Sequence, residues 1–158
     1  VIFLTVGTQF PFDRLLKAVD SAVERQFIRE DVYAQTAITN YRAKNLKCVP
    51  YLDNASFDRY VQQASAVISH AGVGTITIAL QYRKPILVVP RLKSCGEVVN
   101  DHQMALAKKF DHLGLVIMVQ NLQNLPEYLK KLHHFVPQKR QNQTKAVVDR
   151  ISQFLNTT

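Results

Sequence analysis

The run Ser69-His70-Ala71-Gly72-Val73-Gly74-Thr75 combines small residues, a hydroxyl and an imidazole between an apolar stretch and a helical pattern. A strand that ends in such residues at a helix start is a ready site for an anion. The first N–H groups of a helix lack intrahelical partners, and the macrodipole adds partial positive charge there. Backbone N–H groups of Ala71, Gly72, Val73, Gly74 and Thr75 would cradle a phosphate, with glycine allowing close approach. His70 and Thr75 can add side-chain donors. An ordinary strand-to-helix turn made tight by glycine gives the same pattern, because short glycine motifs are weakly specific.

A second concentration of reactive residue types spans Pro90 to Gln103. It holds Arg91, Lys93, Glu97, Asn100, Asp101, His102 and Gln103. Asn100 or Asp101 alone would serve as a helix N-cap. The consecutive polar residues Asn100, Asp101, His102 and Gln103 exceed what a cap needs, and such donors and acceptors suit a polyhydroxylated ligand such as a sugar.

Both clusters sit in an alternating pattern of apolar runs and helical periods. Val1–Val6 reads as a strand, followed by Gly7-Thr8 and a helix from near Phe12 with Leu15, Leu16, Val19, Ala22 and Val23 on one face. Further strands are expected at 31–36, 46–49, 66–69, 86–89 and 115–118. Further helices are expected from Asn54 or Ser56 to about 64, then at 75–82, 100–110 and 125–132. Residues 141–155 carry Val147, Ile151, Phe154 and Leu155 at helical spacing, an amphipathic helix suited to core packing or to partner docking. The alternation predicts an α/β fold, a doubly wound and mostly parallel Rossmann-like sheet formed by residues 1–158 as one domain. Ligands in such sheets lie at the carboxyl ends of strands, where both Gly7-Thr8 and the 69–75 loop fall.

With 158 residues, 47% hydrophobic and 20% charged, the chain has the composition of a folded domain rather than a disordered one. No apolar run is long enough to span a bilayer, and the first residues lack a secretory pattern. Cys48 and Cys95 show neither metal-ligand spacing nor disulfide density, so a reduced cytoplasmic setting with no bound metal is expected. Residues 1–78 hold 8 Lys/Arg against 7 Asp/Glu, whereas 79–158 hold 12 against 5. This asymmetry suits an acidic partner, but no aromatic platform interleaves the basic residues, which argues against a nucleic-acid reader.

Several motifs occur together in order: Thr5-Val6-Gly7-Thr8 through Phe12-Asp13-Arg14-Leu15, then Ser69–Thr75, Lys84-Pro85, and Pro90-Arg91 through Gly96-Glu97-Val98-Val99-Asn100-Asp101-His102-Gln103. In this the chain resembles bacterial exopolysaccharide and capsule glycosyltransferase subunits. It is also similar to the catalytic subunit of the dolichol-linked UDP-GlcNAc transferase. The resemblance implies the donor-binding half of a two-domain GT-B enzyme, similar to the family 28 C-terminal domain. It implies a UDP-sugar substrate, no cofactor and no obligatory metal. It further implies an inverting transfer to a lipid-linked saccharide, presented by a membrane-anchored, acceptor-binding partner at the inner face of the cytoplasmic membrane.

On that resemblance Gly7, Thr8 and Ala71–Thr75 hold the donor diphosphate, and Arg91, Asn100, Asp101, His102 and Gln103 face the donor sugar. His70 and Glu97 are the candidate bases within the chain, though the base can also lie on the partner, and His70 can equally be a neutral pocket wall. One departure is Ile78, where related two-domain transferases often carry a ribose-binding carboxylate. His112, His133 and His134 match no motif. A nucleotide-binding regulatory or assembly subunit without catalysis is the alternative, and a nucleotide-sugar epimerase-like half shares the architecture.

Overall fold

The computed structural model describes residues 1–97, 102–138, 149, 150 and 153. Among these residues six strands form one sheet: β1 (Ile2–Thr5), β2 (Val32–Gln35), β3 (Lys47–Val49), β4 (Ala66–His70), β5 (Ile86–Val89) and β6 (Ile117–Met118). Their order is β3-β2-β1-β4-β5-β6 and every pairing is parallel. Between residues 1 and 138 the described elements include five helices that connect or follow them: α1 (Asp13–Glu24), α2 (Asn54–Gln63), α3 (Val73–Gln81), α4 (His102–His112) and α5 (Leu125–Leu132).

The near-continuous apolar strands follow from burial on both faces, as parallel sheets require. Side chains alternate between two cores with the period of two that strands impose. Ile2, Leu4, Ile68, Leu87 and Val89 pack toward α1 and α5, through Leu15, Leu16, Val19, Leu125, Leu129 and Leu132. Phe3, Val67, Ile86 and Val88 pack toward α2, α3 and α4, through Val61, Ile76, Ala79, Leu106, Ala107 and Phe110.

The expected element order holds, with shifted boundaries. The cap of α2 is Asp53, which accepts from the Ser56 N–H at 2.7 Å, rather than Asn54 or Ser56. Strand β4 extends through His70, and α3 begins at Val73 rather than Thr75. Asn100, Asp101 and most of the 141–155 segment lie outside the described residues.

The order reverses between β1 and β4, so the chain leaves these two adjacent strands in opposite directions. Thr5 and Ser69 are register partners at that point. The loops that follow them diverge, and the gap between them is the crevice in which open α/β sheets bind ligands.

Candidate functional site: a cleft at the switch point

A cleft of about 530 Å³ opens at the carboxyl edge of the sheet. The β1 side supplies Thr5, Gly7, Thr8, Gln9 and Phe10, and the β4 side supplies His70, Gly72, Gly74, Thr75 and Ile78. Arg91 and Gln103 close one end; Gln35, Leu52, Asn54 and Phe57 close the other.

Helix α3 points its N-terminus into this space. Its first intrahelical bond runs from the Ile76 N–H to the Gly72 carbonyl, and no side chain caps it. The N–H groups of Val73, Gly74 and Thr75 therefore have no intrahelical partner. Gly74 faces open space, with nothing within 4 Å of where a Cβ would stand. Ala71 is not among the residues lining the cleft, and its side chain is buried in the core on the α2–α4 face.

Gly7 and Gly72 serve the imidazole of His70. A Cβ on Gly72 would lie 2.2 Å from His70 Nε2, and one on Gly7 would lie 3.0 Å from the same atom. Gly7 also has φ +82°, a left-handed conformation that side chains disfavour. Both loops thus approach the Nε2–Cε1 edge of the ring, and His70 Nδ1 lies 3.3 Å from the Ser69 hydroxyl. Burial and the nearby Arg91 guanidinium push the His70 pKa down to about 4, outweighing a hydrogen bond to the Thr5 backbone. The ring is neutral at physiological pH. It is a wall and hydrogen-bonding group, and its low basicity makes it a poor match for general-base work near pH 7.

The suppressed protonation has a consequence for stability. The unfolded chain takes up a proton on His70 near pH 6.5, whereas the folded chain does so only near pH 4. Stability from this group is complete above about pH 7 and falls as pH drops from 6.5 to 4, by about 3 kcal/mol. Urea denaturation across that range should show this slope, and His70→Asn should flatten it. An unchanged slope in the variant would remove His70 as its source.

Glu97 is tied to Arg14, whose Nε and Nη2 donate to its two oxygens at 2.8 and 3.1 Å. It also accepts from the Leu92 N–H at 2.9 Å. Glu97 is not among the residues lining the cleft. Arg91 is 3% exposed and spends Nη2 on the carbonyls of Val6 and Phe10, the latter at 2.6 Å, while its Nε has no partner. Burial lowers its pKa to about 10, with Glu97 acting in the opposite direction. Gln103 Oε1 accepts from the Arg91 N–H at 3.2 Å. His102 starts α4 and is exposed, outside the cleft lining.

The wall on the β2–β3 side was not anticipated from the sequence. Gln35 is 2% exposed; its Nε2 donates to Thr5 Oγ1 at 3.4 Å and its Oε1 accepts from the Leu52 N–H at 3.1 Å. It thereby holds the 50–53 loop over the cleft. Phe57 is held by Phe3, edge to face at 5.3 Å. A polar residue ending a buried strand, as Gln35 does, was the available signal. Phe10, Ile38 and Tyr51, which follow β1, β2 and β3 at this same edge, are 46%, 65% and 51% exposed. Among the described residues no group of three or more His, Cys, Asp or Glu could hold a metal, and no helix is long and apolar enough to cross a membrane.

A doubly wound parallel sheet with its cleft at the switch point and a glycine-lined helix start there defines the Rossmann-like class of α/β protein. The chain belongs to the glycosyltransferase family 28 C-terminal domain, which matches residues 1–156. It is similar to the UDP-N-acetylglucosamine transferase subunit ALG13 of Homo sapiens, at 32% identity over 72% of this chain and 10% of that protein. The subunit of the same name from Candida albicans is 22% identical over 73% of this chain and 36% of that protein. The chain thus spans little more than a third of these relatives at most.

Among solved structures, the glycotransferase of kitacinnamycin aligns with a TM-score of 0.63 at 17% identity, over 97% of this chain and 37% of that one. The solution structure of ALG13 aligns at 0.58 and 19% identity, over 87% and 88%. MurG of Acinetobacter baumannii aligns at 0.56 and 21% identity, over 96% and 49%. The fold is therefore that of one half of a GT-B glycosyltransferase.

Proposed function

We propose that this cleft binds a UDP-sugar and that the chain is the donor-binding, catalytic subunit of an inverting glycosyltransferase. The observation that carries the reading is the uncapped start of α3, opening onto the cleft at the switch point of a family 28 domain. The N–H groups of Val73, Gly74 and Thr75 face the diphosphate, with Gly7 and Thr8 on the opposite wall. The helix dipole and these donors stabilise the charge that grows on the departing UDP, so the chemistry needs no metal. Leu52, Phe57 and Ile78 supply apolar surface for a flat base. Gln103 and Arg91 lie at the sugar end, with Asn100, Asp101 and His102 assigned to the donor sugar by their motif. Ile78 offers the ribose no charged group, which leaves Asn54, Gln35 or backbone groups to meet its hydroxyls.

In this reading the acceptor is a lipid-linked saccharide. A membrane-associated partner supplies the second half of the site, and the product enters exopolysaccharide or capsule synthesis at the inner face of the cytoplasmic membrane. Two observations support a covering partner: the similar ALG13 proteins are named as subunits of a transferase, and Phe10, Ile38 and Tyr51 are exposed on the cleft edge. Neutral His70 and ion-paired Glu97 favour a base that arrives with the partner or its acceptor.

Calorimetric titration tests the donor reading. UDP should bind the wild-type chain and raise its melting temperature. Gly74→Asp places a carboxylate in open space at the start of a helix, which the fold accepts and the dipole favours. It should weaken UDP at least about 100-fold, on the order of 3 kcal/mol, without lowering the ligand-free melting temperature. Wild-type protein indifferent to UDP, or a Gly74→Asp variant that binds it normally, would overturn the proposal.

A further inference from the structure

The two loops flanking the cleft exchange arginines. Arg91, at the end of β5, reaches into the β1–α1 loop and donates to the carbonyls of Val6 and Phe10. Arg14, in the first turn of α1, reaches the other way. It forks onto Glu97 at 2.8 and 3.1 Å and donates to the Pro90 carbonyl at 3.3 Å. Between them lies the buried ring of Phe12, with the Arg14 and Arg91 guanidinium carbons 5.3 and 5.0 Å from its centroid. Each loop is therefore held by a cation belonging to the other.

Glu97 completes the arrangement. Gly96 takes a left-handed conformation, φ +69°, after the short 3-10 turn Lys93–Cys95, and the Glu97 carboxylate folds back onto the Leu92 N–H. Its side chain is 10% exposed and that of Arg14 28%, so the pair is partly shielded from solvent. A forked guanidinium–carboxylate contact fixes orientation as well as distance. The pair lies outside the two buried apolar clusters, touching them through the Phe12 ring. Its two ends carry what faces the ligand: Gly7 to Phe10 on one loop, and Arg91, with Gln103 bonded to its N–H, on the other.

We propose that Arg14 and Glu97 are positioning residues: a clasp that fixes the spacing between the diphosphate wall and the sugar end of the cleft. The inference rests on the donor reading above. The clasp spans the two parts of a nucleotide sugar, so loosening it separates their sites while leaving α3 in place. Binding of the intact donor should suffer more than binding of the nucleotide alone, because only the former needs both walls in register.

Arg14→Lys keeps the charge but loses the fork, and Glu97→Gln keeps the shape but loses the charge. The affinities of wild type and both variants are measured for UDP and for UDP-N-acetylglucosamine, UDP-galactose and UDP-glucuronate. The sugar that wild type binds most tightly should lose at least tenfold in each variant, and UDP less than threefold. Hydrogen exchange provides a ligand-free readout: Glu97→Gln should speed exchange at residues 7–10, on the far loop. Equal losses of UDP and UDP-sugar, or losses under twofold for both, would overturn the clasp, as would unchanged exchange at 7–10. Wild-type protein that binds none of these nucleotides while exchange responds as expected would instead count against the donor reading.

Discussion

Gly72→Ala is expected to disable the cleft almost completely. The new methyl would stand 2.2 Å from His70 Nε2 and 2.8 Å from Cε1, far inside van der Waals contact. The ring has little room to retreat, because the Gly7 backbone also lies close, with a Cβ there 3.0 Å from the same Cε1 and Nε2. Moving the ring means moving the β1–α1 loop or the start of α3, and both are walls of the ligand site. Overpacking of this kind costs about 1–3 kcal/mol in stability. The effect on nucleotide binding should be larger, beyond about 100-fold, since the displaced elements hold the diphosphate. The partner substitution separates steric from chemical causes. His70→Ala/Gly72→Ala removes the obstacle, and the double variant should recover most of the stability lost by Gly72→Ala alone. Chemical denaturation of the wild type, both single variants and the double variant measures the coupling. Simple additivity would mean that Gly72 is required for another reason.

Arg91→Met should produce the second large effect. The guanidinium is buried, and two backbone carbonyls depend on it. Methionine fills the volume and relieves the desolvation of a charge, but strands the Val6 and Phe10 carbonyls. Unpaired buried acceptors cost about 1–3 kcal/mol each, and the relief offsets part of this. A net loss of about 2 kcal/mol in unfolding free energy is expected, with nucleotide-sugar affinity falling at least tenfold. Arg91→Lys should lose less, because the one Nη2 serves both carbonyls and an ammonium can also donate to two acceptors. Retained affinity in both variants would show that the β1–α1 loop holds its shape without Arg91.

Much of the architecture was legible in the residue pattern. The apolar runs at Ile2–Thr5, Ala66–Ser69 and Ile86–Val89 are buried on both faces, which only a covered parallel sheet explains. The five helices fell where the periodicity placed them, with ends moved by a few residues. Caps were less legible: Asp53, Asn54 and Ser56 are all competent, and only the backbone turn selects Asp53.

The cleft was half legible. Gly7, Thr8, Gly72, Gly74, Thr75, Arg91 and Gln103 come together although they lie far apart in the chain. Two of the glycines have a further reason that the motif does not show. Spacing shows that side chains are absent, but not what fills the room, and at Gly7 and Gly72 the room belongs to an imidazole. Glu97 is a carboxylate near the site by sequence, yet its long-range pair with Arg14 could not be read from either motif alone. Gln35, Leu52, Asn54 and Phe57 carry no motif at all, because their place in the cleft follows from strand order rather than local pattern.

The packing of His70 between two glycines also bears on how such a chain can drift over evolutionary time. A side chain gained at position 7 or 72 meets the ring, whereas loss of the ring first leaves a void between two loops. Each single step away from the present trio passes through a less fit intermediate. Positions 7, 70 and 72 are therefore coupled, expected to change together rather than singly, although 62 residues separate Gly7 from His70.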